Sequence, residues 1–370
     1  MKRENYQLIK ALRHELHAHP ELSHQEVWTR ARLIAFLREH TSLEIVEHDQ
    51  WFYAIHREEG ADVNLAFRAD IDALPIHEEL DIPHCSKIPG VSHKCGHDGH
   101  AAALCGLGLE LEGVKTGKNI FLLFQHAEET GSGAIEAVRF IHDEGIDEIF
   151  SYHNEAGIPL GQIRYKYGTS HYASKGMIIE MVGRPTHASA PEFGKNPAYA
   201  LSQLVMDLQA LDPQEMFEGE VLWTVIQLDV GEPAFGTAAS SGKLLLTIRA
   251  ELERELDELQ DMIEAQAAEL AEGEELKYSF SYQDEFPETV SHDSSVDKIR
   301  EAAKRLGYDA VEGPADRGSE DFGYYLKATK GAMFNVGNGE DSKPLHTWEY
   351  DFTDEVMVYA VEMFKTLIAL

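Results

Sequence analysis

The chain has 370 residues, 43% of them hydrophobic, and carries 65 acidic against 32 basic side chains, a net charge of −33. That length exceeds one ordinary core and predicts two domains. The acidic excess argues against nucleic acid and anionic membrane surfaces as partners, and no run approaches the roughly 18 apolar residues of a membrane span.

In chain order, residues 4–18 read as a helix that closes before Pro20. Ser23-His24-Gln25-Glu26 has the capping-box pattern, and Val27, Ala31, Ile34 and Leu37 follow near helical spacing. Val63 to Phe67 is a short apolar strand that runs into Arg68-Ala69-Asp70-Ile71-Asp72. Residues 99–111 are rich in Ala, Leu and Gly and predict a buried helix. A strand at 120–124 and a helix from about 132 follow, then a strand Ile149-Phe150-Ser151-Tyr152 that ends in His153. Strands alternating with helices predict a mostly parallel sheet.

The pattern then changes. Met177 to Val182 is a strand, Asn196-Pro197 reads as a helix start with Asn as cap, and that helix runs to about Leu211. Val221 to Leu228 and Leu244 to Ala250 are strands, Leu252 to Ala271 is a charged amphipathic helix, and Leu276 to Tyr282 is a strand. The order βαββαβ is that of a ferredoxin-like unit. It reads as an insertion, 173–284, into a first domain made of 1–172 and 285–370. The remainder returns to α/β character: a helix at 294–306, Gly318-Ser319-Glu320-Asp321-Phe322 opening a short helix with Ser319 as cap, a strand Ala332 to Val336, a loop with His346, and a last helix from about Thr353.

Three cysteines, Cys85, Cys95 and Cys105, are an odd number in a long chain and do not suggest a disulfide scaffold. Together with an N-terminus, Met1 to Tyr6, that has no apolar run after its charges, they give the expectation of a reducing, cytoplasmic setting.

Residues of metal-binding type gather beyond predicted strands, where ligand sites of open α/β sheets lie. His93-Lys94-Cys95-Gly96-His97-Asp98-Gly99-His100 packs thiol and imidazoles into eight residues, a density that packing does not explain. His126-Ala127-Glu128-Glu129 ends a second strand. Adjacent carboxylates there are either solvated or divided in labour, one binding metal and the other taking a proton. His153 and His346 are unremarkable singly. With Cys95, His97 and Glu129 they make five donors, about what two ions sharing a water would use. Asp70 and Asp72 are either turn aspartates or carboxylates that orient a ligand His. His187, in the Pro-bound loop Thr186 to Pro191, is either a surface His or a donor to a developing oxyanion.

These segments resemble the metal-dependent amidohydrolases of the aminoacylase/carboxypeptidase superfamily, in the branch of hippurate hydrolase, the plant indole-acetyl-amino-acid hydrolases and N-acetyl-diaminopimelate deacetylase. The likeness runs through His19-Pro20-Glu21-Leu22-Ser23, Arg68 to Pro75, Cys95 to His100, Ala127-Glu128-Glu129, the His187 loop up to Pro197, and Gly318 to Phe322. The resemblance implies a binuclear-metallopeptidase-like catalytic domain with an inserted lid and dimerisation domain. It implies that Cys95, His97, Glu129, His153 and His346 hold two divalent ions, manganese or zinc with cobalt and nickel as further candidates. It implies Glu128 as general base, Asp70 as supporting acid, and His187 reaching toward a partner's site in a homodimer. Asp72 and Asp98 are expected as carboxylates behind the ligands. One departure stands at Gly231 to Ala239, where Gly236 takes the place of the family's Asn and an Ile-Pro pair is missing.

The expected reaction is hydrolysis of the amide bond of small N-acyl amino acids. A dipeptidase or aminopeptidase using the same site is the alternative within enzymes, and a metal-bearing binding protein without catalysis is the alternative from another class.

Overall fold

The computed structural model describes all 370 residues, Met1 to Leu370. The chain divides into two compact units: Met1–Ser170 with Thr289–Pro314 and Asp321–Leu370, and His171–Glu288 with Ala315–Glu320.

The first unit is built on an eight-stranded sheet. Its centre is parallel, with Asn119–Gln125, Asn64–Asp70, Glu148–Glu155 and Lys330–Gly337 side by side. Phe52–His56 and Glu44–Glu47 extend one edge antiparallel. Ile163–Tyr165 joins Lys330–Gly337 antiparallel at the other side, and Ala310–Glu312 follows it in parallel. The parallel centre is the α/β architecture expected from the alternation of strands and helices. The outer strands are short or mixed in polarity and gave no period-2 signal.

Alternate side chains of one strand enter different cores. Leu65 and Phe67, with Ile120, Leu122 and Phe124, pack among Ile9, Leu12, Leu104 and Phe364. Ala66, Phe121 and Leu123 pack on the other face among Tyr53, Phe140, Phe322 and Tyr325. Burial on both faces is why these strands read as continuous apolar runs. The helix His97–Leu111 is buried along its whole length, so it too lacks a polar stripe. A Cβ at Gly99 would lie 2.4–2.5 Å from the Phe352 ring, so only glycine lets that aromatic seat on the first turn of the helix.

The second unit is a four-stranded antiparallel sheet in the order Val221–Val230, Ser241–Ala250, Ala173–Val182, Lys277–Phe286. Helices Ala198–Ala210 and Glu253–Gly273 pack on it, giving the chain order βαββαβ. Met177, Ile179 and Met181 meet Leu244, Leu246 and Ile248 on the inner face, closed by Leu201, Leu204, Leu256, Leu259 and Ile263 from the helices.

Several local expectations are corrected. Ser23 does not cap the helix Val27–His40, which has Glu26 at its cap position, and the Ser23 hydroxyl donates to Asp72 Oδ2 at 2.7 Å. The free N–H groups of Trp28 and Thr29 go to the Glu21 carboxylate instead, at 3.1 and 2.8 Å. Ser319 caps no helix either. Its Oγ bonds Ser174 and Arg249, and the short helix begins later, at Gly323–Ala328. The helix after Pro197 starts at Ala198, whose N–H is accepted by Asn196 Oδ1 at 3.0 Å. The helix expected from 132 is two short ones, Gly133–Ala137 and Arg139–Asp143. The last helix starts at Val356 rather than Thr353. No helix is long and apolar enough to cross a membrane.

Candidate metal centre

The parallel register aligns the strand ends. Asp70 pairs with Gln125, Arg68 with Leu123 on one side and with Ser151 on the other, so Asp70 and His153 each lie two residues beyond a matched pair. His153 sits inside the strand Glu148–Glu155, opposite Asn335, and not past its end as the sequence suggested. Gly96 makes the turn between Cys95 and His97 with φ 97°, a left-handed conformation that glycine adopts without strain. A Cβ there would lie 2.4 Å from Asn154 Oδ1.

The turn after Gln125 separates two neighbouring carboxylates. Ala127 has φ 47° and its N–H is accepted by the buried Glu26 carboxylate at 2.8 Å. The Glu129 N–H goes to Asp72 Oδ2 at 3.1 Å. A pinned left-handed residue followed by a pinned amide holds this irregular turn, which carries Glu128 and Glu129 in succession.

Cys95, His97, Glu128, Glu129, His153 and His346 come together in overlapping trios, each with its donor atoms within 4.8 Å. Cys95 Sγ lies 3.4 Å from His153 Nε2 and 3.3 Å from His346 Nε2. His97 Nε2 lies 3.9 Å from Glu128 Oε2 and 3.7 Å from Glu129 Oε1, and His346 Nε2 lies 3.7 Å from Glu129 Oε2. His97 Nδ1 donates to the Asp72 carbonyl at 3.0 Å, with Asp72 Oδ1 at 3.2 Å. His153 Nδ1 donates to the Asn154 carbonyl at 2.7 Å. Each bond places the proton on Nδ1 and leaves the Nε2 lone pair for the cluster, as ligand histidines are commonly held. His346, also left-handed at φ 60°, is fixed by its N–H to the Lys94 carbonyl and stays half exposed.

Protons sit where cations would. Burial, reinforced by Glu129, Glu128 and Asp70, pushes the Cys95 thiol well above its usual range. Burial pushes Glu129 up to about 7. For His97, burial opposes the charge, but Asp70, Asp72 and Glu129 outweigh it and raise the imidazolium to about 10. His97 Nε2 and Glu129 Oε1 are buried with no hydrogen-bond partner. Buried orphans cost free energy, about 1–3 kcal/mol each. Thiolate, imidazole and carboxylate with unsatisfied lone pairs fit divalent transition-metal ions.

Asp70 lies behind the donors. Its Oδ1 takes His100 Nδ1 at 2.7 Å and its Oδ2 takes Arg68 Nη1 at 2.7 Å. Burial works against its charge, yet His97, His100 and Arg68 hold the carboxyl well below its usual range. Asp72 meets His97 Nδ1 through its carbonyl and its carboxylate. Asp98 does not back the donors. Its Oδ2 is held by Arg13 Nε and His17 Nδ1, both at 2.8 Å, so this carboxylate belongs to a separate buried ion cluster.

Sequence reasoning left several residues without a role. Glu26, raised to about 7 mainly by burial, looked like part of a capping box. Arg68 bridges Asp70, Gln125 Oε1 and Asp321 Oδ1 at 2.7–2.8 Å, all buried. His100 and Asn154 share a 2.6 Å bond, and Asn154 donates to Tyr350. The Arg68-x-Asp70 alternation was the only local signal for this network.

In the second unit, His187 lies on the two-residue strand Thr186–His187, which pairs with Thr237–Ala238. Its Nδ1 accepts the Ser189 N–H at 3.1 Å, which puts the ring proton on the exposed Nε2 side. The Gly236 carbonyl takes the Ala188 N–H.

An α/β fold whose parallel strand ends gather thiol, imidazole and carboxylate donors defines the class: a hydrolase scaffold of the binuclear metallopeptidase type. The chain belongs to peptidase family M20/M25/M40, which it matches over residues 66–370, and it is a hydrolase. It is 30% identical over 366 residues to N-acetyl-L-cysteine deacetylase of Bacillus subtilis, covering 97% of this chain and 86% of that protein. It is 29% identical over 380 residues to hippurate hydrolase of Campylobacter jejuni, covering 97% and 95%. Among solved structures, the Bacillus subtilis YXEP protein, described as a dinuclear metal binding peptidase of the M20 family, superposes with a TM-score of 0.85. It is 25% identical, and the match covers 100% of this chain and 98% of that one.

Proposed function

We propose that the protein is a metal-dependent amidohydrolase that cleaves the amide bond of small N-acyl amino acids. The observation that carries this reading is the overlap of donor trios on Cys95 and Glu129, with the Glu128 carboxylate beside His97 Nε2. The names of the relatives, a deacetylase of N-acetyl-cysteine and a hydrolase of hippurate, support an acyl group on an amino acid as substrate.

Cys95, His97, Glu129, His153 and His346 would hold two divalent ions. When bound, such a pair polarises the acyl carbonyl and acidifies water. Zinc suits the thiolate, manganese suits the carboxylate, and cobalt and nickel are accepted by the imidazoles. Glu128 takes the proton of the attacking water and returns it to the leaving nitrogen. Asp72 orients His97, and Asp70 fixes His100. The Nε2–H of His187 is a donor suited to the oxyanion, supplied in a dimer by the second copy. Self-association through the inserted unit is supported by its edge strand Val221–Val230, which leaves Val225, Ile226 and Leu228 exposed, since unpaired edges invite pairing. Three free cysteines support a reducing, cytoplasmic setting.

The test is hydrolysis of N-acetyl amino acids, N-benzoyl amino acids and dipeptides by metal-stripped protein, with each divalent ion added back. Metal-restored cleavage of one N-acyl class is the expected result. Cleavage of dipeptides alone, or no cleavage with two ions bound, overturns it.

A further inference from the structure

A second group of ligand-type side chains lies outside the cluster described above. His24, His126 and Glu136 bring one donor atom each within 4.8 Å of one another. His126 follows the strand Asn119–Gln125 and is fully buried, Glu136 lies on the short helix Gly133–Ala137, and His24 sits in the loop before Val27–His40. His126 Nε2 is 3.0 Å from Glu136 Oε2, and the two imidazole rings are 5.4 Å apart.

Hydrogen bonds set the state of His24. Its Nδ1 faces the acceptor Gln50 Oε1 at 2.9 Å and so carries the proton. Its Nε2 therefore bears the lone pair and accepts from the Ser132 hydroxyl at 2.8 Å. His126 is the odd member. The ring is wholly buried, yet Nδ1 has no hydrogen-bond partner. Nδ1 is therefore free to take the ring proton, which leaves the Nε2 lone pair, beside Glu136, for a ligand.

We propose that His24, His126 and Glu136 form a binding site for a divalent cation of the zinc type, separate from the catalytic donors. Two imidazoles and one carboxylate are a zinc donor set, with the fourth position left for water or the Ser132 hydroxyl. Donors at about 2.0–2.2 Å in a tetrahedron stand about 3.4 Å apart. The 3.0 Å pair and the 4.8 Å limit bracket that spacing, so small side-chain rotations complete the site. With a cation on His126 Nε2, the single ring proton sits on Nδ1, so the imidazole binds as a neutral ligand and keeps its proton. The cation would clasp the His24 loop to the start of the turn that carries Glu128. Its role is therefore to hold that turn, not to meet substrate.

The experiment measures zinc retained per chain after equilibrium dialysis, for the full-length protein and for His24→Asn and Glu136→Gln. Both side chains are exposed, and Asn tolerates the left-handed backbone at position 24, where φ is 65°. Unmodified protein is expected to hold one more zinc per chain than either variant. Equal zinc content in all three overturns the proposal. The readout is a difference between chains with the same catalytic donors, so it stands or falls independently of the amidohydrolase reading. A thermal midpoint that zinc raises further in the unmodified protein than in both variants is the second expected result, and equal shifts count against it.

Discussion

Two buried clusters of ionisable groups meet at adjacent residues, His97 and Asp98, and they are built on different principles. Around Asp98, the carboxylates face cations of the chain itself. Arg13 and His17 hold Asp98, and His17 and Lys94 hold Glu78 at 3.0 and 2.5 Å. Only Asp98 Oδ1 and the His93 ring lack partners there. Around His97, the groups that face one another are all metal-donor types, and lone pairs of His97 and Glu129 point at nothing that satisfies them. Density of charged residues does not mark a ligand site. What marks it is a set of lone pairs that the chain leaves for something else.

The comparison breaks most sharply at Cys95, whose thiol belongs to two of the donor trios. Cys95→Ala is expected to lose bound metal and hydrolysis together, and retention of the full metal content by mass spectrometry would remove Cys95 from the ligand set. Glu128→Gln is expected to separate the two properties. Metal content stays, while turnover falls by about 10²–10⁴-fold, the range of a lost general base. Turnover at the unmodified rate would sink the base assignment.

Asp98→Asn tests the other cluster. It takes the most buried of three carboxylates from the Arg13 guanidinium, which keeps Asp351 and Asp354, so the cost stays below the roughly 3–5 kcal/mol of breaking an isolated buried pair. Urea unfolding should show that loss while metal content is unchanged. A loss of metal with unchanged stability would instead return Asp98 to the metal centre.

Acid gives a smaller effect of defined sign. Burial opposes ionisation of Glu78, but His17, Lys94 and the Ser86 N–H outweigh it and bring its pKa from 4.5 to about 2. A depressed carboxyl stabilises the fold above its unfolded value, and that contribution is lost as pH falls from about 4.5 through about 2. Metal-free protein should therefore lose up to about 3 kcal/mol over that window, and Glu78→Gln should flatten the dependence. Parallel pH profiles for the two proteins would show that Glu78 carries none of it. The smallest expected change is Ser23→Ala, which removes one hydrogen bond to Asp72 and costs about 1 kcal/mol, measurable as a lower urea midpoint.

The donors were legible because they are local. Cys95 and His97 sit in one octapeptide, and the adjacent Glu128 and Glu129 follow the apolar run Ile120 to Phe124. Asp98 was misread for the same reason. It is in the same octapeptide, and only the helix Arg3–Ala18, which brings Arg13 and His17, decides which cluster it joins. Ser23 and Ser319 carried genuine cap chemistry, but the helices begin only at Val27 and Gly323, so the hydroxyls meet Asp72 and the Ser174–Arg249 pair in place of a first turn. Glu26 was legible only as a capping-box residue, since its partner, the Ala127 amide, is 101 residues away.

The sequence by itself determined the alternation of strands and helices, the βαββαβ order and which thiol, imidazole and carboxylate residues are candidates for the cluster, because periodicity and residue chemistry are properties of short segments. Tertiary structure alone decided which lone pairs remain unsatisfied, which carboxylates are neutralised by Arg13, His17, Lys94 and Arg68, and which nitrogen of His97 and of His153 is free. Those outcomes depend on hydrogen bonds and burial contributed by residues far apart in the chain, and a buried charge is defined by what surrounds it.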